Sequence, residues 1–283
     1  FAAPGIEIRA PGTGRVNLHA LDAGLFTVDR AVIDAINAID PAITVATLAD
    51  FSTVDAGRML ATVKIIPFAV NEALVEQAAA VAAKGGILAL HTFQPRRVGL
   101  IQTMLPTVKA SVLDKTARLT TERLARSGSL VTGEARTAHA EADVAAAIAD
   151  AAKDSDMVIV FGASAVSDPG DVIPAAIERA GGTVERVGMP VDPGNLLVIG
   201  SLDGRTVIGA PGCARSPKLN GFDWVLDRLL AGLPVASREI AGMGVGGLLM
   251  EIDTRPQPRE PKPRRVGGVH AVLLAAGRAQ RMG

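Results

Sequence analysis

Met157-Val-Ile-Val-Phe161-Gly162-Ala163-Ser164 decides the fold. Five apolar residues in a row are too few for a helix. They are also too uniformly apolar for a strand with one face in water, and they suit a strand buried on both faces of a parallel sheet. Small residues follow at once. Asp171 then opens a helical pattern that runs to Ala180 and stops at Gly181-Gly182. Upstream, Val98 to Thr103 is a short apolar strand and Val108 to Ser127 a long helix ending at Gly128. Leu130-Val131 is a second short strand, and Ala140 to Ala152 is an Ala-rich helix. Downstream, Leu196 to Ile199 and Thr206 to Ile208 flank Asp203-Gly204, a strong hairpin signal. Ser216 to Leu230 reads as a last helix, ended by Gly232. Strands alternating with helices predict an α/β fold, a doubly wound and mostly parallel sheet carrying one antiparallel hairpin.

A mixed, β-rich α+β domain over residues 1–95 is expected to precede this sheet. Val16 to Ala20 alternates as a strand, and Asp29 caps a helix in which Val32, Ile33, Ile36 and Ile39 recur at helical spacing. Ile43 to Leu48 and Ala61 to Ile66 are β-branched runs, and Asn71 precedes a helix from Glu72 to Lys84. The α/β domain is expected over 96–253 and a linker over 254–268. Within that linker, Thr254 to Arg265 holds four prolines and five basic side chains, so it reads as extended and semi-rigid. Residues 269–283 open one further strand and loop. The chain begins at Phe1 and stops at Met282-Gly283, which reads as a fragment of something longer.

Composition excludes several classes of function. Lys plus Arg and Asp plus Glu are 29 each among 283 residues, so no global charge pulls on nucleic acid. Aromatics are 3%, too few for base-stacking platforms. The one cysteine, Cys213, can form neither an internal disulfide nor a cysteine metal cluster, and a lone thiol suits a reducing, cytoplasmic setting. The longest stretch without Asp, Glu, Lys or Arg is Val266 to Gly277, well short of the roughly 20 residues of a membrane span. No charged segment followed by a short apolar run opens the sequence, so no signal peptide is expected. His19, His91, His139 and His270 show no pairwise metal spacing, and no metal site is expected. No Gly-x-Ser-x-Gly elbow, Walker A loop or dinucleotide Gly-x-Gly-x-x-Gly follows a strand.

Ligands of open α/β sheets bind beyond the carboxyl ends of the strands, which singles out two loops. In the first, Gly162, Ala163 and Ser164 let a ligand approach the backbone, Ser164 and Ser167 offer hydroxyls, and Asp171 sits at a helix start. Asp171 as a plain N-cap, with Asp168-Pro-Gly170 an ordinary turn, explains the same residues. In the second, Ala210-Pro211-Gly212-Cys213-Ala214-Arg215-Ser216 opens the last helix. Free amides there would favour an anion, with Arg215 as counter-charge and Ser216 as cap or phosphate ligand. Cys213 shows no activating base in sequence. Trp224, the only Trp, is expected to report on a ligand at this second loop.

Met157 to Gly232 resembles the molybdopterin-binding domain shared by molybdopterin adenylyltransferase and molybdopterin molybdenumtransferase. Phe161-Gly162-Ala163-Ser164 stands for that family's small-residue turn, and Asp171-Val-Ile-Pro174 for its Asp-led helix start. Asp192-Pro-Gly-Asn195 and Ala210 to Ser216 take the places of its two later Pro-Gly elements. The chain departs at Ala163 for a second Gly, at Ala214 for a Pro, and by one residue of loop length. At Thr103-Met-Leu-Pro-Thr107 the molybdenumtransferases have Gly-Asp-Glu. The resemblance implies molybdopterin as the ligand, a small-molecule pterin partner, and roles for these residues. Asp171 would be catalytic, and Gly162, Ala163, Ser164, Ser167, Pro211, Gly212, Cys213, Arg215 and Ser216 would bind. It leaves open whether the cleft is catalytic or a non-catalytic binding and delivery module, and whether copies associate.

Val272 to Gly283 resembles the opening of a molybdenum cofactor cytidylyltransferase, with Ala275, Gly277 and Arg281 on the nucleotide-binding motif. That implies Mg2+ and a nucleoside triphosphate for a full-length protein. Both resemblances point to one pathway, molybdenum cofactor biosynthesis, with the chain serving as a transferase of that pathway or as a cofactor carrier in it.

Overall fold

A computed structural model describes residues 3–12, 14–83 and 86–250, all within one compact unit, Phe1–Met250. The linker and the nucleotidyltransferase-like tail, with Ala275, Gly277 and Arg281, lie outside the described residues.

In chain order, the first part comprises β1 (Ile6–Gly12), β2 (Arg15–Ala20), β3 (Gly24–Val28), α1 (Arg30–Asn37), β4 (Ile43–Thr47), β5 (Ser52–Val54), β6 (Met59–Ile65), α2 (Glu72–Ala82) and β7 (Leu88–Thr92). These strands form two antiparallel sheets, β1-β2-β6-β4 and β5-β3-β7. Asp29 and Asn71 cap α1 and α2 through side-chain bonds to backbone amides, as their residue types predict.

The second part follows as β8 (Arg97–Met104), α3 (Ala110–Ala125), β9 (Leu130–Ala138), α4 (Glu141–Asp154), β10 (Met157–Phe161), α5 (Val172–Arg179), β11 (Thr183–Val187), β12 (Val198–Leu202), β13 (Arg205–Ala210), a 3-10 turn at Gly212–Arg215, α6 (Gly221–Leu230) and α7 (Ser237–Ala241). The sheet order is β11-β12-β13-β10-β8-β9. Strands β13, β10, β8 and β9 run parallel, while β12 pairs antiparallel with both β13 and β11. This is the expected mostly parallel α/β sheet.

β10 is buried at every position, and its side chains divide by period two. Met157, Ile159 and Phe161 join Leu124 of α3 and Phe222, Val225 and Leu226 of α6. Val158 and Val160 join Val144 and Ile148 of α4 and Ile173 and Ile177 of α5. Helices therefore cover both faces, which is why this strand reads as an unbroken apolar run. Asp203 (φ 48°) and Gly204 (φ 74°) both take positive φ between β12 and β13, the requirement of a tight type I′ hairpin.

Three local expectations change. β9 runs nine residues to Ala138, where only Leu130-Val131 read as strand. It is an edge strand, mostly exposed, so polar side chains hide its length. β11 lacks an apolar run and went unread for the same reason. The last helix begins at Gly221, not Ser216, because Asn220 and Asp223 close a reciprocal capping box there.

Residues 1–95 also touch the large sheet's helices. Thr53 Oγ1 donates to Asp227 of α6 at 2.6 Å, Gln94 N donates to Leu230 O at 2.8 Å, and Leu25 and Phe93 share a core with α6.

Candidate functional site

The two loops singled out in the sequence leave adjacent strands. Phe161 and Ala210 are register partners at the carboxyl ends of β10 and β13, so 162–171 and 211–216 start side by side. Gln102 of β8 is the partner of Phe161 on its other side and of Arg136 on β9. The carboxyl edge of four parallel strands thus presents one row of loops, where ligands of such sheets bind.

Arg215 does not stand free as a counter-charge. Its guanidinium donates to Thr116 Oγ1 at 2.7 Å, Gln102 Oε1 at 3.2 Å and Gly162 O at 3.2 Å, and its Cζ lies 5.0 Å from the Phe161 ring centroid. Burial lowers its pKa from the usual arginine value. It is a clasp across β8, α3 and the first loop. Ser216 likewise does not cap the start of the last helix; it closes the 3-10 turn. Its N–H donates to Cys213 O at 3.0 Å, and its carbonyl accepts from Arg123. Arg123 also donates to Ala214 O at 2.8 Å and pairs with Asp223 at 2.7 Å.

Asp171 precedes α5 but makes no side-chain bond to the helix. Its Oδ2 turns back to accept from Ser167 N at 2.7 Å and Asp168 N at 2.9 Å. Those two amide donors hold its carboxyl below the usual carboxylate range, with a smaller contribution from His139. A carboxylate held that low is a weak general base and no acid at neutral pH. It suits an acceptor for N–H donors. Ala163 N is committed to Thr103 Oγ1 at 2.7 Å, and Gly170 N to Asp168 at 2.7 Å. These amides are therefore spent on holding the first loop's own shape.

Parts of both loops are open to solvent. A Cβ on Gly212 would meet nothing within 4 Å, so the second loop starts in open space behind buried Pro211. Ser164 and Ser167 are exposed. Cys213 is half-buried, and burial pushes its thiol pKa up, which leaves it protonated and poorly nucleophilic at neutral pH.

Sequence reasoning missed Gln102, Thr103, Thr116 and His139. Thr103 Oγ1 accepts from Ala163 N and lies 2.8 Å from His139 Nδ1. Gln102 Nε2 donates to Glu134 at 2.9 Å and to Leu113 O at 2.9 Å. Two polar residues ending the apolar run of β8 were the available signal. His139 had none, because the end of β9 was unread. Trp224 is also corrected: it lines a cavity with Phe51 and Arg228 rather than the second loop. Among the described residues no helix is long and apolar enough to cross a membrane, and no cluster of three His, Cys, Asp or Glu could hold a metal.

Residues 102–231 match the family model described as a probable molybdopterin binding domain. Among solved structures, the chain is similar to the molybdopterin biosynthesis moea protein from Pyrococcus horikosii at 15% identity, covering 81% of this chain and 75% of that one, TM-score 0.36. It is similar to the protein CinA with unknown function from Thermoplasma acidophilum at 15% identity, covering 43% and 90%, TM-score 0.32. A molybdenum cofactor biosynthesis protein from Pyrococcus furiosus matches at 17% identity over 64% and 52%, TM-score 0.29. No curated protein matches the chain. The matched segment runs from Gln102 at the carboxyl end of β8 to the end of α6 and so contains both loops. Residues 102–231 therefore belong to the molybdopterin-binding domain family.

Proposed function

We propose that the chain serves molybdenum cofactor biosynthesis by binding molybdopterin at the carboxyl edge of β8, β10 and β13. One observation carries this reading: the two loops inside the family segment leave neighbouring parallel strands in register and are joined by Arg215 to Gly162 O. The ligand's phosphate end would lie against the open start of the second loop at Gly212. Its pterin donors would face Asp171, with Ser164 and Ser167 at the rim.

Binding without turnover is the form the residues favour. Thr103 spends its hydroxyl on Ala163 and His139, and Met104 to Thr107 hold no carboxylate. That segment supplies no anionic ligand for a metal held by the pterin dithiolene. A carrier that delivers cofactor to a nucleotidyltransferase fits both this and the resemblance of residues 269–283. In that reading Ala275, Gly277 and Arg281 contact a nucleoside triphosphate with Mg2+, the linker 254–268 keeps the two sites at high effective concentration, and residues 1–95 act as an accessory domain in the cytoplasm.

Titration with molybdopterin, followed by pterin fluorescence, tests the binding claim. Asp171→Ala and Arg215→Ala should each weaken binding about tenfold, because each unties a loop. Equal binding by parent and both variants sinks the placement. Turnover with molybdate or a nucleotide would replace the carrier reading by an enzyme.

A further inference from the structure

A cavity of about 710 Å3 lies away from the carboxyl edge, lined by Phe51, Trp224, Arg228, Leu233, Glu239 and Met243 among others. That volume is in the range of small-molecule sites. At its wall sits Arg228, only 8% exposed. One N–H of Arg228 donates to Trp224 O at 3.0 Å, and the guanidinium lies 3.9 Å from the Phe51 ring centroid. Phe51 is held at φ 57°, an unusual conformation for a bulky residue, with its amide on Asp50 Oδ1 at 3.0 Å.

Buried cations are normally paired with an anion. Among the described residues, no carboxylate oxygen comes within 4.0 Å of this guanidinium. Asp50 and Asp227 act on it only through space; Asp227 accepts from Thr53, and burial raises its carboxyl pKa against the opposing pull of Arg126 and Arg228. Asp50 and Glu239 are exposed and spend an oxygen each on backbone amides. The other N–H groups of Arg228 have no protein acceptor among the described residues. Among the described residues no fully buried side-chain nitrogen is left without a partner, so these donors keep accessible surface, and Arg228 lines the cavity.

We propose that this cavity binds a small molecule with a flat apolar body and one carboxylate. The carboxylate takes the open edge of the Arg228 guanidinium in a planar, bidentate pair. The body packs against Trp224, Leu233 and Met243. The site is independent of the pterin cleft, and its test uses no pterin.

Trp224 is the only tryptophan, so its emission reads the cavity directly. The full chain is titrated with phenylacetate and, separately, with phenylacetamide, which keeps the body and loses the charge. Phenylacetate should shift the emission saturably, and phenylacetamide should bind at least about tenfold more weakly. Arg228→Lys keeps the charge but loses the planar fork, and should weaken phenylacetate about tenfold. A Cβ on Gly242, at the cavity wall, meets nothing within 4 Å. Gly242→Phe should therefore fill the space and abolish binding with the thermal midpoint unchanged, whether or not Arg228→Lys folds. No saturable shift, equal binding of acid and amide, or undiminished binding by Gly242→Phe overturns the proposal.

Discussion

Loop 162–171 and loop 211–216 start side by side but hold their shapes by opposite means. The first is tied largely from within: Asp171 takes the amides of Ser167 and Asp168, and Asp168 takes that of Gly170. The second is tied from far along the chain. Arg123 on α3 holds the carbonyls of Ala214 and Ser216, and Arg215 reaches out to Gln102 and Thr116. A loop with local ties can begin to form as soon as its own residues meet. A loop with distant ties exists only after α3 has docked on the sheet, and it pays loop-closure entropy first. The two halves of one cleft should therefore respond differently to damage.

The largest effect is expected at Arg123. Its pair with Asp223 is nearly dry, with side-chain exposures of 12% and 15%. Arg123→Met removes the pair and uncaps two carbonyls, which should cost about 3 kcal/mol, since breaking a buried pair leaves its partner charge stranded. Urea unfolding measures this. Proteolysis should then cut near 211–216 before it cuts near 162–171. A loss under about 1 kcal/mol, the range of an exposed pair, or earlier cutting in the first loop would break the contrast.

A smaller effect is expected where the first loop depends on one distant partner. Thr103, fully buried, accepts the Ala163 amide and meets His139. Thr103→Val keeps the shape and strands that amide, at a cost of about 1–2 kcal/mol. Thr103→Ser restores the hydroxyl and should recover most of the loss. If valine is tolerated as well as serine, the first loop holds its shape without this distant partner.

The same contrast explains what could be read in the sequence. β10 and α5 were legible because burial on both faces and a helix-opening Asp are local signals. The Asp203-Gly204 hairpin was legible because two positive φ angles demand that residue pair. Arg215 was legible as a cation of the second loop, but its ties inside the protein were not. Its acceptors, Thr116 and Gln102, sit about a hundred residues upstream, and spacing within a loop says nothing of them. Ser216 looked like a cap because it is the first cap-type residue after the strand. The real cap, Asn220, is identified by its reciprocal bond with Asp223. β9 and β11 stayed hidden as edge strands, whose polar faces erase the apolar period.

The smallest and most selective effect comes from pH. Asp171 has a folded pKa lowered chiefly by the Ser167 and Asp168 amides, so its carboxylate form is favoured in the folded chain. An unfolded aspartate titrates near about 3.9. A depressed folded pKa adds stability that is fully present above the unfolded value and is lost as pH falls through the folded one. Asp171→Asn removes this charge-assisted contribution. The gap in urea midpoint between parent and variant should hold steady from about pH 7 to 5 and close below about pH 4. Because the group is solvent-accessible, added salt should narrow the gap at neutral pH without abolishing the hydrogen bonds. If the Asp171→Asn gap is instead unchanged at pH 3, the carboxylate is not what holds the first loop.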